Sequence, residues 1–156
     1  MKYLITGIIA IVLATMLHGL GFSTQTYPKM IRPFNEYEFH GWYVSGKYGS
    51  QREHRKHWAV DYALPVGTSI LAPADGVITL SKYQGGYGNI IIIDHGDGIE
   101  TRLAHLSEFV KLRGQKVSKG EVVGYSGDTG NAQGRPHVHF ETLVHGQPIN
   151  PARFIF

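Results

Sequence analysis

The chain of 156 residues contains no cysteine. Disulfides, thiolate metal sites and cysteine nucleophiles are therefore excluded, and stability must come from packing and bound metal alone. Charge is also sparse: 17% of the residues are charged, leaving a net charge of +3 with histidine neutral. So small an excess suits an anionic polymer as partner without specifying one, and nothing in the chain points to nucleic acid. There is no internal repeat, no coiled-coil heptad and no long amphipathic helical period beyond the N-terminus. Solenoid and helix-bundle architectures are thereby set aside.

What is present is a length sufficient for one domain with its own core and a small appendage. The 20 glycines, with frequent Val, Ile and Tyr, favour many short strands joined by turns. Nine histidines are the compositional oddity. The expected fold class is mostly β, a largely antiparallel sheet with an active-site groove, plus an N-terminal hydrophobic helix.

Residues 1–21 form an apolar run behind Lys2, with no charge from Tyr3 to Leu17. The run reads as an export signal or a retained membrane anchor, and either places the rest of the chain outside the cytoplasm. Residues 22–45 read as a linker or wrapping arm, marked by Pro28 and Pro33, and residues 46–156 as the main domain. Gln51 to Lys56 is polar and expected to be a solvated loop. Strands are expected at Ala59–Ala63, Ser69–Ala72, Gly76–Ser81, Asn89–His95 (the most apolar and central), Ile99–His105, Lys116–Val117, Val122–Tyr125 and from Arg135 to Val144. Asp97-Gly98 is a hairpin turn, and Leu106 to Phe109 a helical turn.

The stretch Arg135-Pro136-His137-Val138-His139-Phe140-Glu141 alternates polar and apolar residues. As a strand it sends Val138 and Phe140 to a core, and His137, His139 and Glu141 to the other face. His57 and Asp61, four apart at a strand start, are expected to share a face. With His139 opposite them, two imidazoles and one carboxylate make a sufficient set for catalytic zinc, with a fourth position left for water. His137 and His105 are then placed to handle protons. Each piece alone has an ordinary reading: a surface His–Asp pair, a half-buried histidine, the polar face of an edge strand. Glu141 serves either to orient a ligand imidazole or as a common hydrogen-bonding group in the sheet. The weight lies in the three segments occurring together.

At these residues the chain resembles the M23 zinc metallopeptidases, the lysostaphin- or LytM-like peptidoglycan endopeptidases, over roughly Gly46 to Pro151. His57-x-x-x-Asp61 is similar to the first metal motif, Ala104-His105-Leu106-Ser107 to the middle histidine motif, and Pro136-His137-Val138-His139-Phe140-Glu141 to the His-x-His motif. Pro65-Val66-Gly67-Thr68, Ala72 to Val77, Gly86-Tyr87-Gly88-Asn89 and Gly120 to Gly124 resemble its connecting pieces. The resemblance implies one Zn2+ per domain held by His57, Asp61 and His139, with His105 and His137 as the catalytic histidines. It implies hydrolysis of peptide bonds in peptidoglycan stem peptides or cross-bridges, in the cell envelope or periplasm. The inner membrane, through residues 1–21, and an envelope protein are the further partners it suggests. A catalytically inactive module that binds or activates other wall hydrolases is the alternative within the same family. Two departures stand out: Ala59 where the family usually has Gly, and Leu103 where it often has Tyr, which would remove a hydroxyl from the cleft.

Overall fold

The computed structural model describes residues 27–37, 43–53, 55–132 and 134–155. Its regular structure is almost entirely strand: β1 (Tyr43–Gly46), β2 (Val60–Ala63), β3 (Ser69–Leu71), β4 (Gly76–Tyr83), β5 (Asn89–Asp94), β6 (Ile99–Leu106), β7 (Glu108–Phe109), β8 (Lys116–Val117), β9 (Val122–Tyr125), β10 (His137–Val144) and β11 (Gln147–Ile149). Three short 3₁₀ turns, Gly85–Tyr87, Gly130–Ala132 and Pro151–Arg153, complete it. Among the described residues there is no α-helix, and no helix long and apolar enough to cross a membrane. The hydrophobic helix expected over residues 1–21 lies outside the described residues. The helical turn expected at Leu106–Phe109 is instead the end of β6 followed by β7.

The main sheet runs β1-β2-β10-β6-β5-β4-β8, with β11 paired to β10, and every pairing in it is antiparallel. A second sheet, β3-β9-β7, is also antiparallel. The isoleucine run of β5 is interior, as its apolarity demands, although the middle strand is β6. Ile90, Ile91 and Ile93 are fully buried, and each such side chain contributes roughly 1.5–3 kcal/mol by leaving water. The β5–β6 hairpin turns through Asp97 and Gly98, both at positive φ (51° and 74°), the conformation that matches the twist of the flanking strands.

Val60, Tyr62, Leu103, Val138 and Phe140 join Ile70 and Val123 of the second sheet in one core. The opposite face of β2, β10 and β6 is thereby left for polar residues. Leu103 belongs to the core face and is fully buried, so the departure noted there changes packing and not the cleft. Residues 27–37 run along the core layer. Main-chain bonds tie Met30 to Phe154, Ile31 to Pro73 and Leu71 to Pro33, and Phe34 packs edge-on against Tyr62.

Candidate metal centre and catalytic groove

Register brings the polar residues together. His139 of β10 stands opposite Asp61 of β2 on one side and Ala104 of β6 on the other. His137, two residues away, shares its face.

His57 arrives by a different route from the one expected. It precedes β2 and lies in no strand. In an extended strand, residues four apart stand about 13 Å from each other, too far for one ion. Here the chain turns: His57 exchanges main-chain bonds with Gly49 and Ser50, and its ring folds back onto Asp61.

His105 also breaks the simple alternation. Leu103 pairs with Ile91 and Leu106 with Asn89, so β6 carries one extra residue between them. His105 itself sits at φ 64°, a region that non-glycine residues seldom occupy. Leu103 and Leu106 both remain in the core, while the bulge turns His105 to the groove. Its ring centroid is 4.6 Å from that of His137 and 5.7 Å from that of His139. Bulges commonly re-aim a side chain in this way.

A carbonyl oxygen can only accept, so it fixes the proton on the ring nitrogen that faces it, whereas a ring held between two carboxylates can carry its proton on either nitrogen. His57 Nδ1 donates to the Lys47 carbonyl at 3.1 Å, leaving Nε2 as a lone pair. His139 stands between two carboxylates, with Nε2 at 3.0 Å from Glu141 Oε1 and Nδ1 at 2.7 Å from Asp61 Oδ1; in the tautomer that donates to Glu141, Nδ1 is the lone pair. These two free nitrogens face the same carboxylate oxygen, Asp61 Oδ1, at 3.1 and 2.7 Å, and each other at 3.3 Å. His57 and Asp61 are 5% and 4% exposed. In that tautomer three electron-rich atoms converge in a nearly dry place, an arrangement that calls for a positive charge at their centre. A proton on His139 meets part of that demand. Burial opposes a charged imidazolium, yet bonds to Asp61 and Glu141 outweigh it and push the His139 pKa up. Burial likewise works to raise Asp61, but His139 and His57 hold its carboxyl well below the usual carboxylate range. A metal cation meets the demand in full. Tetrahedral ligands about 2.1 Å from zinc stand about 3.4 Å apart, slightly wider than the 2.7–3.3 Å between these atoms.

His105, His137 and His139 form a second group of suitable nitrogens. His105 Nδ1 donates to the Thr129 carbonyl at 2.7 Å and His137 Nδ1 to the Arg135 carbonyl at 2.6 Å, so both turn Nε2 inward. This group contains no carboxylate, and His137 Nε2 is 3.9 Å from Asp61 Oδ1. The anion favours the first group for a cation. Burial pushes the His105 pKa down to about 4, against a weaker upward pull from the Thr129 carbonyl, so its ring is neutral at physiological pH.

Four supporting residues escaped the sequence reading. Arg52 donates to Asp61 Oδ2 at 2.7 Å, which leaves Oδ1 alone at the convergence point; the loop expected to be merely solvated therefore reaches the site. Gly46 pairs with Asp61, and a Cβ there would overlap that same Oδ2. Behind His139, Tyr87 donates to Glu141 Oε1 at 2.9 Å, and Arg102, opposite Glu141 in the register, donates to Oε2 at 3.4 Å. The alternation of β10 foreshadows only Glu141. His95 Nδ1 donates to the Asp75 carbonyl and its Nε2 accepts from Thr101 Oγ1, away from the groove.

The groove above the cluster has a volume of about 580 Å3 and is bordered by Tyr43, Arg55, Tyr87, Asn131 and Arg135.

The sequence matches the model of Peptidase family M23 over residues 55–151. It is 50% identical over 97 residues to the DD-carboxypeptidase/endopeptidase Mpg of Neisseria meningitidis serogroup B, covering 62% of this chain and 22% of that protein. It is 37% identical over 115 residues to the peptidoglycan DD-endopeptidase ShyA of Vibrio cholerae, covering 70% of this chain and 26% of that protein. A solved structure of a zinc-containing peptidase from Vibrio cholerae superposes with a TM-score of 0.70 at 26% identity, covering 81% of this chain and 39% of that one. The chain spans about a quarter of the length of these curated relatives.

Proposed function

The chain belongs to peptidase family M23, and from that premise we propose that it is a zinc-dependent endopeptidase hydrolysing peptide bonds in peptidoglycan stem peptides or cross-bridges. The observation that carries this reading is the convergence of His57 Nε2, His139 Nδ1 and Asp61 Oδ1 on one point. The relatives named for peptidoglycan endopeptidase activity support the substrate, and the zinc-containing structural neighbour supports the metal. An inactive module is disfavoured, since such a module would lack part of the donor set.

His57, Asp61 and His139 are the proposed zinc ligands, and the donor set suits that ion. When bound, zinc supplies a Lewis acid that polarises the scissile carbonyl and brings the pKa of water toward about 7. The Lys47 carbonyl and Glu141 hold the two ligand rings in the required tautomers. His105 and His137 are the proposed catalytic histidines. Each keeps its Nδ1–H on a backbone carbonyl, so Nε2 is the atom that takes a proton from the attacking water and returns it to the leaving amine. Once protonated, the same atom donates to the oxyanion.

The proposed organisation places this domain, residues 46–156, in the cell envelope. Residues 22–45 would serve as an arm, and residues 1–21 as an export signal or inner-membrane anchor. Cross-linked peptidoglycan digested by the zinc-loaded protein should release new muropeptides, identified by mass spectrometry. His139→Ala should lose bound zinc and lower turnover at least about a thousandfold, a barrier change of about 4 kcal/mol. Digestion that persists in this variant, or in fully chelated protein, would remove the assignment.

A further inference from the structure

The groove is cationic in a way that the ligand set does not require. Three arginines border it, Arg52, Arg55 and Arg135, against a single acidic side chain, Asp61, among the described residues. Arg52 is engaged with that carboxylate. Arg55 and Arg135 are exposed, and no acidic side chain among the described residues pairs with either. Ordinary surfaces intersperse charges of both signs. Here two uncompensated guanidinium groups share a concave space with a centre that itself calls for a cation.

Their positions are tied to the chemistry. Arg55 belongs to the loop that delivers His57, and Arg135 to the one that delivers His137, where its own carbonyl holds the His137 ring. The rings form a continuous row, His57–His139–His105–His137, and the two arginines enter from the loops that carry its two ends. An extended peptide lying over that row with its scissile amide at the cluster would bring its neighbouring substituents within reach of the guanidinium groups. Like charges gathered in a groove repel one another unless the ligand neutralises them, and a planar guanidinium forks onto a carboxylate through two parallel bonds.

We propose that Arg55 and Arg135 are the carboxylate-binding part of the groove, and that the substrate is an acidic peptide with free carboxylates flanking the scissile amide. The assignment rests on the peptidase reading and narrows its substrate class. The carboxylate can be the peptide's own C-terminus or a side-chain group, and the test separates the two.

The probe is an N-acetylated tripeptide with one side-chain carboxylate and a free C-terminus, compared with its C-terminal amide and its side-chain carboxamide. Binding to the zinc-loaded full chain is read by titration calorimetry at low ionic strength, so the result does not depend on turnover. The free acid should bind at least about tenfold more tightly than one or both neutralised forms; the form that loses affinity identifies the carboxylate. Arg55→Gln or Arg135→Gln should erase that preference with zinc stoichiometry unchanged, and Arg135→Lys should keep part of it. Equal affinity for all three forms, or no binding by any of them, overturns the proposal even if peptidoglycan is digested. Charge-selective binding by a chain that digests nothing supports the arginine assignment and counts against the enzyme reading alone. The comparison of the three peptides on the unaltered protein stands whether or not the variants fold.

Discussion

His57 and His139 on one side of the groove, and His105 and His137 on the other, present the same functional group to different surroundings. Three donate one ring proton outward to main-chain carbonyls, and His139 turns its Nε2 outward to Glu141. They differ in what stands before the free nitrogen. For His57 and His139 it is the buried carboxylate oxygen of Asp61, about 3 Å away; for His105 and His137 it is the groove. A lone pair pressed against an anion in a dry place is stable only with a cation between them. A lone pair facing an open cleft is free to take and give a proton. One anion, placed by the pairing of β2 with β10, divides four similar side chains into two chemical pairs.

The largest test of that division is Asp61→Asn. Removing the anion should weaken zinc binding at least about a hundredfold, since even the outer partners of metal ligands are worth about 10–100-fold. Unchanged affinity by competition with a chromophoric chelator would move the metal to His105, His137 and His139. His105→Gln should do the opposite: zinc content stays near one per chain while kcat falls about 10²–10⁴-fold. Loss of zinc in that variant would merge the two pairs into one.

A pH titration in chelator probes the same contrast without turnover. The folded His105 pKa, about 4, lies below its ordinary value of 6.5. Between those values the unfolded chain binds a proton that the folded chain refuses, so stability rises with pH. The contribution, about 3–4 kcal/mol before solvent screening lowers it to about 2–3 kcal/mol, is present above pH 6.5 and lost on acidification toward 4. His139, whose pKa is raised, acts in the other direction: its contribution is full below pH 6.5 and fades as pH rises through its folded pKa. Urea melts of the metal-free protein should therefore be steepest in pH between 4 and 6.5, and His105→Gln should flatten that slope. A slope unaffected by the substitution would mean that another group titrates there.

The smallest effect is expected at Glu141→Gln. The amide oxygen can still accept from His139 Nε2 and Tyr87, while the charge and the acceptor for Arg102 are lost, and zinc affinity should fall about tenfold. A fall as large as that for Asp61→Asn would show that the two carboxylates are not distinct in role.

Much of this site was legible in the chain. The alternation from His137 to Glu141 predicts both the core face and the polar face of β10, and the structure agrees residue by residue. The short strands and the Asp97-Gly98 turn follow from local preferences. What was hidden depends on register and on single backbone angles. Period-two logic sends His105 to the core, and only the extra residue in β6 together with a positive φ brings it out. The same logic wrongly puts His57 on a strand, because the turn that folds it back is made by pairing with Gly49 and Ser50. Arg52, Gly46, Tyr87 and Arg102 reach the site from elements far apart in sequence or through a contact no periodicity encodes. Leu103 looked like a cleft residue by resemblance, and it is core because Phe140 stands beside it in the register.

The bonds from Met30 to Phe154, from Ile31 to Pro73 and from Leu71 to Pro33 have a mechanical consequence. They lie in the core layer, behind the face that bears the histidines. Tension on the chain upstream of Tyr27 would be carried first by those three attachments and by the packing of Phe34 on Tyr62. The load path enters through the rear of the domain and bypasses the turn that holds His57 and the bulge that holds His105. A protein hauled or held from that end can keep its groove in working geometry and facing away from whatever does the pulling.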